Sequence, residues 1–458
     1  MFPASPKRNP RLLVVTYHFP PDGSVGGLRW AGLSKYLARR GWEVHVLTAS
    51  PATDLEVVPG RHLHSCAPTQ TLNDRYNDMA RRVRAARQRD GSAAKPTPAV
   101  ATDERQRAAI HPLSAIAWIR GHLSAALAFP DYGRGWIVPA SRKATELLNA
   151  HQFDVVVSSG PPHSAHIAAT LACWNNPKRL WLDMRDPWAA PADEPWAELG
   201  YMSGITRSLI RKLERFVFGR AQGVITNTSE FASDVRRRYA DVPVFHVSNG
   251  VDVGRLPTPA TKFDGMSIAY AGTLYLSRDL APVVWAMHEF LKVHPEARSA
   301  LKLRVAGSMN ETLEARFKEA VAATNLEDLM EVRGRVSGDE AMDMMNRSHL
   351  GLVLAQDQPT QIPAKLYECV AMGVHTLVIA ESTSAAAREA RRIGAATLES
   401  SDVAGITQLI EQIWASGGER LTPNAPITYD DIAAQMDRVL AQESASEARA
   451  VAVRISDR

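Results

Sequence analysis

The feature that most limits what this chain can become is a series of short apolar runs, each followed by a helical or glycine-rich segment. Arg11–Tyr17 (RLLVVTY) comes first. A run like this, with no polar alternation, is expected of a strand buried on both faces, which means a parallel sheet covered by helices. After the loop HFPPDGSVGGLRW, the spacing of Leu28, Leu33, Tyr36 and Leu37 predicts an amphipathic helix ended by Gly41, and WEVHVLT supplies a second strand. This β-loop-α-β unit is the opening of a doubly wound α/β fold.

Strand runs at Asp154–Ser158, Arg179–Leu182, Gly223–Thr226 and Val244–Val247 carry the pattern to about Asn249. Val251–Gly265, with two prolines and no periodicity, reads as a linker. Alternation then restarts with SIAYAG, KLRVAG, MEVRG, LGLVLA and HTLVIA. Two Rossmann-like halves are therefore expected, at residues 1–255 and 256–425. A helix within 426–445, over Tyr429–Gln442, crosses back to the first half, and 446–458 is a frayed tail. A length of 458 residues suits this division, at roughly 150 residues per domain.

Lys and Arg number 53 against 49 Asp and Glu, a formal charge of +4 that is too small to imply nucleic-acid binding. That average conceals one basic insertion. Residues 75–122 hold ten basic and four acidic residues, a local +6 that leaves about −2 for the other 410. Both a solvated surface helix with a flexible loop and a contact with an anionic membrane surface fit it. The apolar positions of Leu113–Phe129 suit an interfacial helix or a core-facing one, the core-facing reading being the more ordinary. No apolar stretch approaches the about 20 residues that span a bilayer, and the N-terminus lacks a secretory apolar region. Cys66, Cys173 and Cys369 are too scattered for a disulfide framework or a metal-binding pair. The expectation is a cytoplasmic protein, peripheral on the inner membrane face at most, with no metal and no cofactor.

Two segments carry the chemistry. In PPDGSVGGLRW, Gly23, Gly26 and Gly27 remove side chains just before a helix N-terminus, where backbone amides favour an anion. The spacing is neither G-x-G-x-x-G nor a P-loop, which removes the main support for dinucleotide oxidoreductases and P-loop NTPases. In IPAKLYECVAMG, Pro363 suits a first helical position, so amides around Ala364–Leu366, with Lys365 beside them, are predicted to form a diphosphate site. Glu368, three residues on, could accept two hydrogen bonds from a ribose diol, or could simply pair with Lys365 on the surface.

YAGTLYLSRDL, VRGRV, IPAKLYECVAMGVHTLVI and the N-terminal glycine loop, in this order, resemble the retaining nucleotide-sugar glycosyltransferases of family 4, which have the GT-B fold of two Rossmann-like domains facing across a cleft. SSGPPHSAH, LDMRDPW and FPDYGRGWIVPA resemble bacterial members that build surface polysaccharides, including lipopolysaccharide. The resemblance implies a hexosyltransferase whose partners are a nucleotide sugar and a glycan or polyprenyl-linked acceptor. By it, Glu368 holds the donor ribose, and Arg278 and Lys365 neutralise the leaving diphosphate. Gly272 lies in the donor-side glycine turn, and Gly334 and Val336 line the nucleobase loop. His163 and Asp186, each just after a strand, become the acceptor-side or sugar-side candidates. The family's first Glu would fall at 360, where this chain has Thr360. A nucleotide-sugar epimerase of the same fold, or a non-catalytic nucleotide-sugar-binding homologue, are the alternatives.

Overall fold

The computed structural model describes residues 8–22, 25–51, 57–71, 129–176, 179–189, 204–275, 277–422 and 427–441. Gly23, the basic insertion 75–122, the apolar segment after it as far as residue 128, and the tail 446–458 lie outside the described residues.

Two parallel sheets organise the chain. The first contains β1 (Arg11–Thr16), β2 (Glu43–Thr48), β3 (Arg61–Ser65), β4 (Val155–Gly160), β5 (Leu180–Met184), β6 (Gly223–Thr226) and β7 (Val244–His246), in the order β3-β2-β1-β4-β5-β6-β7. The second contains β8 (Met266–Ala271), β9 (Leu301–Ala306), β10 (Met330–Val332), β11 (Leu350–Leu354), β12 (His375–Ile379) and β13 (Ala396–Leu398), in the order β10-β9-β8-β11-β12-β13. Each order reverses beside its first strand, between β1 and β4 and between β8 and β11. Crevices open beyond the carboxyl ends of the strands at such reversals, which places two facing sites.

Helices α1 (Leu28–Arg39), α2 (Ile137–Ala150), α3 (Ser164–Ala172), α4 (Gly204–Phe218) and α5 (Ser229–Arg238) belong to the first half. To the second belong α6 (Ala281–Val293), α7 (Glu311–Thr324), α8 (Gly338–Arg347), α9 (Lys365–Ala371), α10 (Ala385–Ile393) and α11 (Val403–Ala415). A last helix, α12, spans 429–441.

Central strands are buried throughout and mostly apolar because helices cover both their faces. In the first half, Leu13, Val15, Val156 and Leu182 pack with Ala144 and Ala168 of α2 and α3. Leu12, Val14, Val155 and Val157 face the other way, onto Trp30 and Leu33 of α1 and onto Ile432 and Met436 of α12. Helix α12 thus completes the core of the first half although the second half intervenes in sequence. Two glycines let it approach. A Cβ on Gly32 would lie 2.6 Å from the Tyr429 ring, and one on Gly250 2.4 Å from Ile432 Cδ1. Backbone bonds at Val251 fasten the crossing: its N–H donates to Ile427 O (2.9 Å) and its carbonyl accepts from Tyr429 N–H (3.0 Å).

Strands β3 and β13 were not among the predicted runs. Both lie at sheet edges, where RHLHS and ATL carry too little apolar continuity to mark a strand.

Candidate functional site

On the first-domain side, β4 ends at Gly160 and the chain turns through Pro161 and Pro162 to His163, immediately before α3. Asp131 fixes this turn, accepting from the Ser164 N–H (2.9 Å) and the Ser164 hydroxyl (2.5 Å). The His163 ring stacks on Trp188, centroids 5.0 Å apart, and its buried Nδ1 has no hydrogen-bond partner among the described residues. Burial, with His166 and Arg185 adding to it, drives its pKa well below the ordinary imidazole range, so His163 is neutral. His166 is different. It lies wholly buried beneath Gly160, its Nδ1 is 2.8 Å from the Ser158 hydroxyl, and burial takes its pKa down to about 3.

Arg185 and Asp186 follow β5. The Arg185 guanidinium donates to the carbonyls of Gly26 (2.6 Å), Gly160 (3.1 Å) and Pro161 (2.6 Å), so one cation ties the glycine loop to the β4 turn. Asp186 Oδ1 accepts from Gln361 Nε2 of the second half at 2.9 Å. Burial raises the Asp186 carboxyl above its usual range, against the pull of Arg185 and Arg278. A second crossing bond runs from the Thr228 hydroxyl to the Thr360 carbonyl (2.7 Å). The two halves therefore meet directly through the loop that the sequence marks before Lys365.

On the second-domain side, Arg278 Nη2 donates to Gln358 Oε1 (3.0 Å), and its guanidinium carbon lies 4.4 Å from the Tyr275 ring centroid. Arg278 Nε, Gln358 Nε2 and Thr360 Oγ1 are buried and lack hydrogen-bond partners among the described residues. Buried polar atoms are normally satisfied, so several unmatched ones around one interdomain loop mark a place suited to a polar ligand.

Some expectations change in detail. Gly26 and Gly27 serve the protein's own packing: the Gly26 carbonyl holds Arg185, and a Cβ on Gly27 would lie 2.9 Å from Phe19 Cα. Gly27 itself is buried against the Phe19 backbone. Pro363 precedes the helix instead of opening it, because α9 starts at Lys365 with Ala364 at its N-cap. The Leu366 N–H, predicted to face outward, donates to Pro363 O at 3.1 Å in a turn that tightens this helix start. Lys365 and Glu368 form the i,i+3 ion pair at 3.8 Å and stay on one side of α9.

Gly272 and Gly334 are brought together through Gly307. A Cβ on Gly307 would overlap the Gly272 carbonyl, and the Gly307 N–H donates to Gly334 O at 2.6 Å. Gly334 has φ +62, a conformation that favours glycine, and Val336 packs against the cluster holding Met344 and Met345.

Other groups escaped the sequence reading. His18 Nδ1 lies 2.5 Å from Asp22 Oδ2, and His18 Nε2 lies 2.9 Å from the Tyr132 hydroxyl. The pair stands i,i+4 around Pro20–Pro21 in the glycine loop, a signal that could have been noticed; its meeting with Tyr132 could not. Arg29 and Asp183 form a buried ion pair behind the site, at 3.1 Å.

Residues 26–250 match the glycosyl transferase 4-like domain family. No curated protein matches the sequence. Among solved structures, the chain is similar to sucrose-phosphate synthase from Thermosynechococcus elongatus at 14% identity, covering 96% of this chain and 100% of that one with a TM-score of 0.57. It is also similar to an alpha,alpha-trehalose-phosphate synthase (UDP-forming) from Burkholderia xenovorans in complex with glucose-6-phosphate, at 14% identity, 94% and 100% coverage and a TM-score of 0.59. A third likeness is to Anabaena Alr3699/HepE in complex with UDP and glucose, at 11% identity, 94% and 99% coverage and a TM-score of 0.54. Such identities carry the fold, and with the two facing sheets they make it GT-B. Residues 26–250 of this chain belong to the glycosyl transferase 4-like domain family.

Proposed function

We propose that the protein is a retaining glycosyltransferase that moves a sugar from a nucleotide-diphosphate sugar to an acceptor hydroxyl in bacterial polysaccharide or glycolipid biosynthesis. The observation that carries this reading is the set of unmatched polar atoms on Arg278, Gln358 and Thr360, in and beside the loop whose Gln361 is bonded across to Asp186. A diphosphate there would meet Arg278 and Lys365 as its charge grows on leaving, and fixed cations at developing charge are a strong source of rate. The departing phosphate can take the acceptor proton on the same face, so the protein needs no dedicated pair of carboxylates. Its own work is to hold the donor between two domains, exclude water and stabilise the leaving group.

Thermal stabilisation by a panel of sugar nucleotides, followed by nucleotide-release assays with cell lipids, tests this. At least one donor should raise the melting temperature, and Glu368→Ala should weaken that donor about tenfold by losing the ribose contact. Flat melting curves across the panel would count against the reading. Thr360, standing where the resemblance places a Glu, favours a second reading as a non-catalytic binding homologue. Donor binding without nucleotide release under any acceptor would select it.

The acceptor side of the proposal includes a polyprenyl-linked glycan at an anionic inner-leaflet surface. Among the described residues no helix is long and apolar enough to cross a membrane. Helix α4 supports a peripheral contact: Leu209 and Phe216 are exposed beside Arg211, Lys212 and Arg215, and Trp174 lies next to Phe216. Cations flanking exposed apolar groups suit an anionic interface. The double variant Leu209→Glu, Phe216→Glu should lose most co-sedimentation with phosphatidylglycerol vesicles. Wild-type protein that stays in the supernatant at low salt would refute the membrane contact.

A further inference from the structure

We infer that Glu43, His45 and His62 form a site for a first-row divalent cation of the zinc type at the edge of the first sheet. The parallel register sets His45 of β2 beside His62 of β3, and Glu43, two residues before His45, shares their face. One ligand atom from each of the three lies within 4.8 Å of the others. His45 Nε2 and Glu43 Oε1 are 3.2 Å apart. Two ligands of a tetrahedral zinc with bonds of about 2.0 Å are separated by about 3.3 Å, so this pair already spans one edge of such a site.

The surrounding groups hold the ligands from behind. Arg11 Nε donates to the other carboxylate oxygen, Glu43 Oε2, at 2.8 Å. The second ring nitrogen of His45, Nδ1, faces His64 Nε2 at 3.0 Å. Partners that fix the unused atom of each ligand are what metal centres require for orientation. His151 lies on a further side, its ring centroid 4.8 Å from that of His45. His62 is exposed and gives the ion its entry, as well as the freedom to move onto it.

Imidazole and carboxylate ligands without thiolate favour zinc, cobalt or nickel over calcium or magnesium. The cluster lies toward the amino ends of β2 and β3, whereas the interdomain site lies beyond the carboxyl ends of the strands. A metal here would clip the edge strand to its neighbour and leave the cleft untouched. The sequence signal is Glu-x-His followed by His-x-His, a strand spacing, which helix-based metal motifs do not contain.

The test uses the full chain, stripped with a chelator, desalted and titrated with zinc. One equivalent should bind saturably and raise the melting temperature, and cobalt should give visible absorption bands of tetrahedral intensity. His62→Gln, at an exposed position, should keep the metal-free melting temperature and lose at least tenfold in zinc affinity, while the control His375→Gln binds as wild type. If His62→Gln failed to fold, Glu43→Gln measured in the same way would decide. Absence of saturable one-to-one uptake, or undiminished affinity in the ligand variants, would overturn the site.

Discussion

Replacing Arg278 by Ala is expected to lower kcat for sugar transfer by about 10²–10³-fold while leaving the melting temperature within a few degrees of wild type. The side chain is oriented by its neighbours but not fully satisfied by them. Gln358 Oε1 takes one guanidinium nitrogen and the Tyr275 ring lies against the cation, yet Nε is buried with no partner among the described residues. Its positive charge is also felt at Asp186, on the opposite wall. An arginine oriented in this way, with a donor to spare, can meet a diphosphate as its charge develops. Arg278→Lys should recover only part of the rate, because a point charge cannot keep the Gln358 contact and the phosphate together. A kcat unchanged in Arg278→Ala, measured by nucleotide release at saturating donor, would remove Arg278 from the reaction and with it the present placement of the diphosphate.

The fold was legible because buried parallel strands announce themselves by local composition. RLLVVT, VVVSSG and MSIAYA need no partner to be recognised. The edge strands β3 and β13 were hidden because one side of each lies at the margin of its sheet, where apolar runs are not required. Candidate site residues followed the same division. Lys365 and Glu368 were readable as an i,i+3 pair on one helix, and His163 and Asp186 from their positions after strands. What could not be read was pairing at long range: Gln361 with Asp186, 175 residues apart, and Thr228 with Thr360, 132 apart. Such bonds depend on how the halves are set against each other, which no local pattern encodes. The same holds for Gly27, whose lack of a side chain serves a close approach to Phe19, a contact invisible until the loop is folded. The four residues Glu43, His45, His62 and His64 were likewise two unrelated dipeptide spacings until the β2–β3 register joined them.

The largest stability effect is expected at Asp183, behind the site. Asp183→Asn should destabilise the protein by about 3–5 kcal/mol, read as a drop in the denaturant midpoint, because it leaves a buried cation uncompensated. Asp183 is fully buried and its oxygens accept from Arg29 Nε (3.1 and 3.2 Å), Trp30 Nε1 (2.8 Å) and Ser159 Oγ (2.9 Å). Arg29 in turn donates to the carbonyls of Val247 (2.8 Å) and Ser248 (2.7 Å) and to Asn249 Oδ1 (2.9 Å). The pair therefore joins α1, β5 and the segment leading to Gly250, where the chain leaves the first half and α12 returns. Burial alone would raise the Asp183 carboxyl, but Arg29 beside it holds the pKa below the usual range. Its stabilising contribution is thus complete above the unfolded carboxylate value, about 4, and is lost as pH falls through the lower folded value. Wild-type stability should decline in that acid window, and the part of the decline due to this carboxylate should be missing in Asp183→Asn. Replacing both partners, Arg29→Met with Asp183→Leu, should cost less than the sum of the single changes, since neither charge is then stranded. A loss below about 1 kcal/mol in Asp183→Asn would mean that water reaches Arg29 when its partner is neutral, and that the pair is not what holds the crossing segment in place.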